Sequence, residues 1–140
     1  MGDYNNQLAL NDNGGDGLES VTISDEYSSN GDYCAKILTN GSNSAYARYR
    51  INGATNVSEY LNKTITFQAN IKTTLPINLT IYYLTDNYVS TNVNVPSGAE
   101  GLFTVSVTVP EDCTRLLFSI DVRQFEPVTV YTDGWCLTLE

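Results

Sequence analysis

The chain has 140 residues, enough for one domain with a buried core, and 16 acidic against 7 basic residues give it a formal net charge of −9. This charge argues against nucleic acid, whose phosphates require a basic surface, and against an anionic membrane surface as partners. No apolar run reaches the length of a membrane span, and no apolar signal-peptide core follows the first residues. Charged residues are scarce, while Thr, Tyr and Asn are abundant, a composition typical of strands and turns rather than helices.

Alternation of apolar and polar residues predicts a series of short strands with no helix of several turns. In chain order they are Gln7–Leu10, Ser20–Ser24, Tyr33–Leu38, Ala45–Ile51, Thr64–Thr73, Ile77–Leu84, Val89–Val95, Leu102–Val109, Leu116–Phe125 and Val128–Leu139. Residues 11–17 have the composition of a loop, and all four prolines fall between the predicted strands. The pattern predicts one all-β domain over residues 1–140, an antiparallel sandwich or barrel in which each strand buries one face.

The absence of histidine excludes Ser-His-Asp and Cys-His catalysis and disfavours a zinc site. We expect the three cysteines, Cys34, Cys113 and Cys136, to be reduced and to fill apolar space, although their number permits one disulfide. The single tryptophan, Trp135, is expected in the core, whereas Tyr88 and Phe125 are expected at the rim of a cleft. The predicted core includes Phe67, Ile71, Ile81, Val107, Phe118 and Ile120.

The order of features resembles a known family of β-jelly rolls. The relevant segments are the opening Leu8 and Leu10, then residues 21–24, 29–33, 34–37, 65–72, 103–110 and the closing 130–137, which contains Tyr131-Thr132-Asp133. They are similar to the galactose-binding-like domains, specifically the non-catalytic carbohydrate-binding modules of polysaccharide-degrading enzymes. The resemblance implies a two-sheet antiparallel β-sandwich of jelly-roll type, whose concave sheet face binds sugars.

Four of the seven basic residues (Arg48, Arg50, Lys72 and Arg123) fall on the predicted polar face of their strands. The predicted ligand-binding residues on this face are Tyr46, Arg48, Arg50, Gln68, Asn70, Tyr82, Asp121 and Arg123. Aromatic rings stack on sugars, amides and carboxylates bond hydroxyls, and arginine binds carboxylates through paired hydrogen bonds. The alternative is that arginine–Asp121 pairs merely stabilise a solvated sheet.

The resemblance also implies a structural calcium ion, which takes about six to eight oxygen ligands. By its position in the motif Asp133 corresponds to the final acidic ligand, Asp25 or Glu26 corresponds to a loop ligand, and Asp12 replaces an absent glutamate. The alternative is that these are ordinary turn carboxylates.

The leading hypothesis is therefore a lectin-like, non-catalytic domain that binds a polysaccharide or glycan. A structural or adhesive module of a virion tail or cell-surface protein is the alternative. An enzyme is disfavoured, because a domain of this size offers no deep pocket for a pair of catalytic carboxylates. We expect an extracellular or cell- or virion-surface location, within a larger multidomain protein.

Overall fold

The computed structural model describes residues 10–27 and 33–140, which form a sandwich of two five-stranded antiparallel sheets. The strands are β1 (Asp12–Gly14), β2 (Leu18–Ser24), β3 (Cys34–Thr39), β4 (Ala45–Asn52), β5 (Thr64–Thr73), β6 (Ile77–Leu84), β7 (Tyr88–Val95), β8 (Glu100–Thr108), β9 (Arg115–Val122) and β10 (Thr129–Leu139). A short helix α1 (Ala54–Val57) and a 3-10 turn (Ser58–Tyr60) connect β4 to β5. The predicted all-β antiparallel sandwich is confirmed.

The two sheets are built from strands that are interleaved along the chain. One sheet has the order β1-β4-β9-β6-β7, and we call it the arginine sheet because β4, β9 and the residue after β9 carry all four arginines. The opposite sheet has the order β2-β3-β10-β5-β8. The connection from β5 to β6 crosses from one sheet to the other, so two strands that are consecutive in sequence lie in different layers.

The core lies between the inner faces of the two sheets. Phe67 is fully buried and contacts two other rings edge-on, with centroid distances of 5.4 Å to Phe118 and 5.0 Å to Trp135. The Trp135 indole N–H donates to the Thr132 hydroxyl at 2.7 Å, which satisfies the polar atom of this buried side chain. Of the predicted core residues, all are fully buried except Val107, which lies on the edge strand β8 and is only partly covered.

Strand β1 falls within residues 11–17, which were predicted to be a loop. The prediction was wrong because asparagine side chains attach this segment to β4: the Asn13 amide oxygen accepts the Arg48 backbone N–H at 3.3 Å, and the Asn11 amide oxygen accepts that of Arg50 at 2.8 Å. The predicted strand at residues 7–10 lies outside the described residues except for Leu10, which precedes β1.

Strand β9 departs from the expected alternation of one buried and one solvated face. Leu117, Ser119 and Asp121 point away from the core, yet each is at most 5% exposed. The reason is that β9 is the central strand of its sheet, and long side chains from the neighbouring strands β4 and β6 lie over it. The strand also ends at Val122, so that Arg123 and Phe125 belong to the following loop.

The three cysteine thiols are free, Cys34 and Cys113 being buried and Cys136 partly buried. Among the residues that the structure describes, no helix is long and apolar enough to cross a membrane.

Candidate functional site

The outer face of the arginine sheet aligns side chains from four strands in transverse rows. The register of β4, β9, β6 and β7 produces the rows Arg48–Ser119–Thr80–Asn92 and Arg50–Leu117–Tyr82–Ser90. The next row, toward the β6–β7 turn, is Asn52–Arg115–Leu84–Tyr88. Antiparallel pairing thus brings polar and aromatic groups together that are far apart in sequence.

A buried carboxylate organises the centre of this face. Asp121 is 4% exposed and accepts hydrogen bonds from the Ser119 hydroxyl at 2.7 Å, from the Arg48 guanidinium at 3.3 Å and from the Tyr82 hydroxyl. Burial raises the pKa of Tyr82, and its bond to the Asp121 carboxylate raises it further. Because the donors surround the carboxylate, its buried charge is compensated and the three partners are held in place.

Arg48 is enclosed by aromatic rings as well as by this network. Its guanidinium carbon lies 3.7 Å from the centroid of the Tyr46 ring and 5.3 Å from that of Tyr82. A Cβ at Gly14 of β1 would lie 2.7 Å from the Tyr46 hydroxyl oxygen, so any larger residue there would require this ring to shift. Arg48 is therefore part of the framework of the face, stabilised by cation–π contact and a buried ion pair.

Arg50 lies at the margin of the same face. Its Nε donates to the Asn52 side-chain oxygen at 2.9 Å, and one terminal nitrogen lies 3.4 Å from an Asp12 carboxylate oxygen. Both side chains of this ion pair are more exposed than the side chains of Arg48 and Asp121. A ligand at this margin would therefore compete with a weaker, solvent-screened contact.

An open depression of about 360 Å³ occupies the middle of the face. It is lined by Asp12, Tyr46, Arg48, Arg50, Tyr82, Tyr88, Leu117 and Arg123. Tyr88 is 47% exposed, and its hydroxyl accepts a hydrogen bond from Arg115 at 2.7 Å. The site thus offers an exposed ring, an apolar floor at Leu117 and several guanidinium donors.

Six of the eight residues predicted to bind a ligand come together on this face, and two do not. Gln68 and Asn70 lie on β5, which belongs to the opposite sheet, as does Lys72. Their predicted place beside the arginines was wrong, because alternation along a strand tells which residues share a side but not which sheet the strand joins. Tyr88 lines the depression, as a rim residue should, whereas Phe125 does not line it and is 80% exposed. Sequence reasoning missed Arg115 because the predicted strand began one residue later.

The four carboxylates predicted to bind calcium do not all come together in one group. Asp133 is fully buried in β10 of the opposite sheet, and Asp25 is exposed directly after β2 of that sheet. Asp12 lies in β1 of the arginine sheet and pairs with Arg50. Glu26 accepts hydrogen bonds from the Lys36 ammonium at 2.6 Å and the Tyr131 hydroxyl at 2.8 Å, and these bonds lower its pKa. Within residues 10–27 and 33–140 no group of three or more His, Cys, Asp or Glu side chains could hold a metal ion. The described residues alone form no shared metal site, and calcium binding stays a prediction.

No family model and no curated protein matches the sequence, so the comparisons depend on structure. A family 16 carbohydrate-binding module is 17% identical, with a TM-score of 0.65 and coverage of 84% of both chains. The C-terminal family 22 carbohydrate-binding module of Clostridium thermocellum Xyn10B is 11% identical, with a TM-score of 0.67 over 91% of this chain and 83% of that one. The enzymatically active domain of bacteriophage CBA120 tailspike protein 4 is 15% identical, with a TM-score of 0.69 over 91% of this chain but only 18% of that one.

The chain therefore has the β-sandwich fold of the carbohydrate-binding modules. Identities below 20% show a shared architecture and not shared roles of individual residues.

Proposed function

We propose that this protein is a non-catalytic carbohydrate-binding module that holds a polysaccharide or glycan against the outer face of the arginine sheet. The observation that carries the proposal is the open depression, in which the exposed Tyr88 ring, the Leu117 side chain and guanidinium donors face the same space. The fold, shared with carbohydrate-binding modules, supports the same function.

The chemistry of these groups suits a sugar. A tyrosine ring offers an apolar face on which a pyranose ring can stack, and arginine donates several hydrogen bonds in fixed directions to hydroxyl or carboxylate oxygens. The network around Asp121 fixes Arg48 and Tyr82 before any ligand arrives. Preorganised groups lose little conformational entropy on binding, which favours affinity.

The carboxylates of this face support binding rather than hydrolysis. Glycoside hydrolysis requires two carboxyl groups that reach the scissile bond from either side. Asp12 and Asp121 are the carboxylates on the strands of the arginine sheet that point outward, and each is ion-paired with an arginine. With 4% of its surface exposed, Asp121 is beyond the reach of a glycosidic oxygen in the depression.

The test is binding of the purified protein to a panel of soluble polysaccharides, measured by calorimetry and by retardation in affinity gels. Tyr88→Ala should weaken binding by about 1–3 kcal/mol, the scale of a lost aromatic hot spot. Phe125→Ala is the matched control, because it removes an exposed aromatic ring that does not line the depression. Failure of the wild-type protein to bind any member of the panel would contradict the proposal.

A structural or adhesive module of a virion tail or cell-surface protein is the second candidate. It is favoured by the pairing of Arg48 with Asp121 and of Arg50 with Asp12, which stabilises the sheet without any ligand. The similarity to part of a phage tailspike domain is consistent with it. Both functions imply an extracellular or surface location within a larger protein, and the polysaccharide panel distinguishes them.

A further inference from the structure

The charge of the arginine sheet is opposite to that of the protein as a whole. The chain carries a net charge of −9, yet all four arginines lie on or next to the outward-facing rows of this one sheet. The strands of the sheet direct only two carboxylates outward, Asp12 and Asp121, and each neutralises one arginine. The strands and the residue after β9 therefore carry two more arginines than outward-facing carboxylates.

The excess belongs to two arginines at opposite ends of β9. No carboxylate among the described residues lies within salt-bridge distance of Arg115 or Arg123. Arg115 donates a hydrogen bond to the Tyr88 hydroxyl at 2.7 Å, and the exposed Arg123 lies beside the Tyr82 hydroxyl. Eight residues of extended chain separate the two Cα atoms by about 26 Å, so they mark the two ends of a strip that runs along the strand.

Arginine rather than lysine supplies all the positive charge of this strip. All three lysines, Lys36, Lys63 and Lys72, lie outside the arginine sheet. Arginine differs from lysine in binding a carboxylate through two parallel hydrogen bonds, which gives direction as well as charge. A sheet that needed only solubility would not require unpaired arginines beside an exposed ring.

On the basis of the proposed function, we infer that the ligand of this face is an anionic glycan whose uronic acid carboxylates are bound by Arg115 and Arg123. The glycan extends along β9 from the Tyr88 end of the depression to the loop that follows the strand. Its sugar rings contact Tyr88 and Leu117, and the two terminal arginines bind carboxylates of different sugar units.

The experiment measures binding to polygalacturonate and alginate, to the same polymers after chemical reduction of their carboxyl groups, to neutral xylan and β-glucan, and to dextran sulfate. We expect binding to the uronate polymers, loss of about tenfold in affinity on carboxyl reduction, and weakening at high salt. The double variant Arg115→Gln/Arg123→Gln should lose about tenfold in affinity for the uronate polymers. Lys63→Gln/Lys72→Gln removes the same number of charges from exposed lysines outside the arginine sheet, so it is the matched control and should retain wild-type affinity.

Each other outcome overturns a defined part of the inference. Binding to neutral polymers as tight as to uronates refutes the inference and leaves the proposed function standing. A preference for dextran sulfate over the uronates refutes the carboxylate assignment. An equal loss in Lys63→Gln/Lys72→Gln shows that net charge alone attracts the polymer and refutes the inference. Binding to no polymer at all refutes the proposed function as well. Melting temperatures of the variants show that each is folded.

Discussion

Replacing the buried carboxylate at the centre of the arginine sheet should destabilise the protein strongly. The Asp121→Asn variant keeps the shape of the side chain but removes the charge that faces Arg48, whose side chain is only 15% exposed. The single amide oxygen of asparagine can still accept from Ser119 and Arg48, which share one carboxylate oxygen, whereas the amide NH₂ replaces the oxygen that accepts from the Tyr82 hydroxyl. A buried guanidinium without its counter-charge and one lost charged hydrogen bond together cost about 3 kcal/mol. This loss lowers the melting temperature by about 10 °C for a domain of this size.

Urea unfolding followed by the fluorescence of Trp135, the only tryptophan and fully buried, measures this free energy of unfolding. The control is Glu100→Gln, which removes the same charge from an exposed pair with Lys72 at 4.0 Å and should cost less than about 0.5 kcal/mol. A double-mutant cycle with Arg48→Gln isolates the coupling between the two side chains. If Asp121→Asn costs no more than Glu100→Gln, the carboxylate does not organise this face and the reasoning is wrong.

Three further predictions concern other parts of the chain. Gly14→Ala places a methyl group 2.7 Å from the Tyr46 hydroxyl oxygen and should cost about 1–2 kcal/mol in urea unfolding; an unchanged stability would show that the ring moves freely. If calcium binds through Asp133, EDTA lowers the melting temperature and Asp133→Ala abolishes the effect, whereas a melting curve that EDTA leaves unchanged would contradict calcium binding. The Lys36 ammonium lowers the pKa of Glu26 below its ordinary value of 4.5, so the native state gains stability above that pH and loses it as the pH falls through the lowered value. The melting temperature of Glu26→Gln should accordingly converge on that of the wild type in acid, and a constant difference across the pH range would contradict this.

Local sequence patterns predicted most strands well, because a strand that buries one face alternates apolar and polar residues with a period of two. The inner faces of β5 and β6 were correct: Phe67 and Ile71 of β5 and Ile81 of β6 are fully buried. The pattern failed at β9, since a central strand has neighbours on both sides and residues such as Ser119 are covered by long side chains. It also failed at β1, a strand of three residues held by asparagine side chains whose composition favours turns.

The candidate site was only partly predictable for a different reason. The sheet to which a strand belongs depends on its pairing with distant segments, such as the pairing of Tyr82 in β6 with Leu117 in β9. The alternation of residues within a single strand does not indicate which strands will pair with it. Gln68 and Asn70 were therefore placed with the arginines, although β5 pairs with β8 and β10. The polar side of each strand was predicted correctly, but the sheet to which β5 belongs was not.

The central claim is that the outer face of the arginine sheet binds the glycan, and mapping of backbone amide shifts by NMR tests it most directly. A polysaccharide fragment that binds in the panel is titrated into the ¹⁵N-labelled protein. We expect shifts that concentrate on residues lining the depression, such as Arg48, Tyr88 and Leu117, while Gln68 and Asn70 of the opposite sheet stay unchanged. Shifts confined to the outer face of β5 and β10 would contradict it.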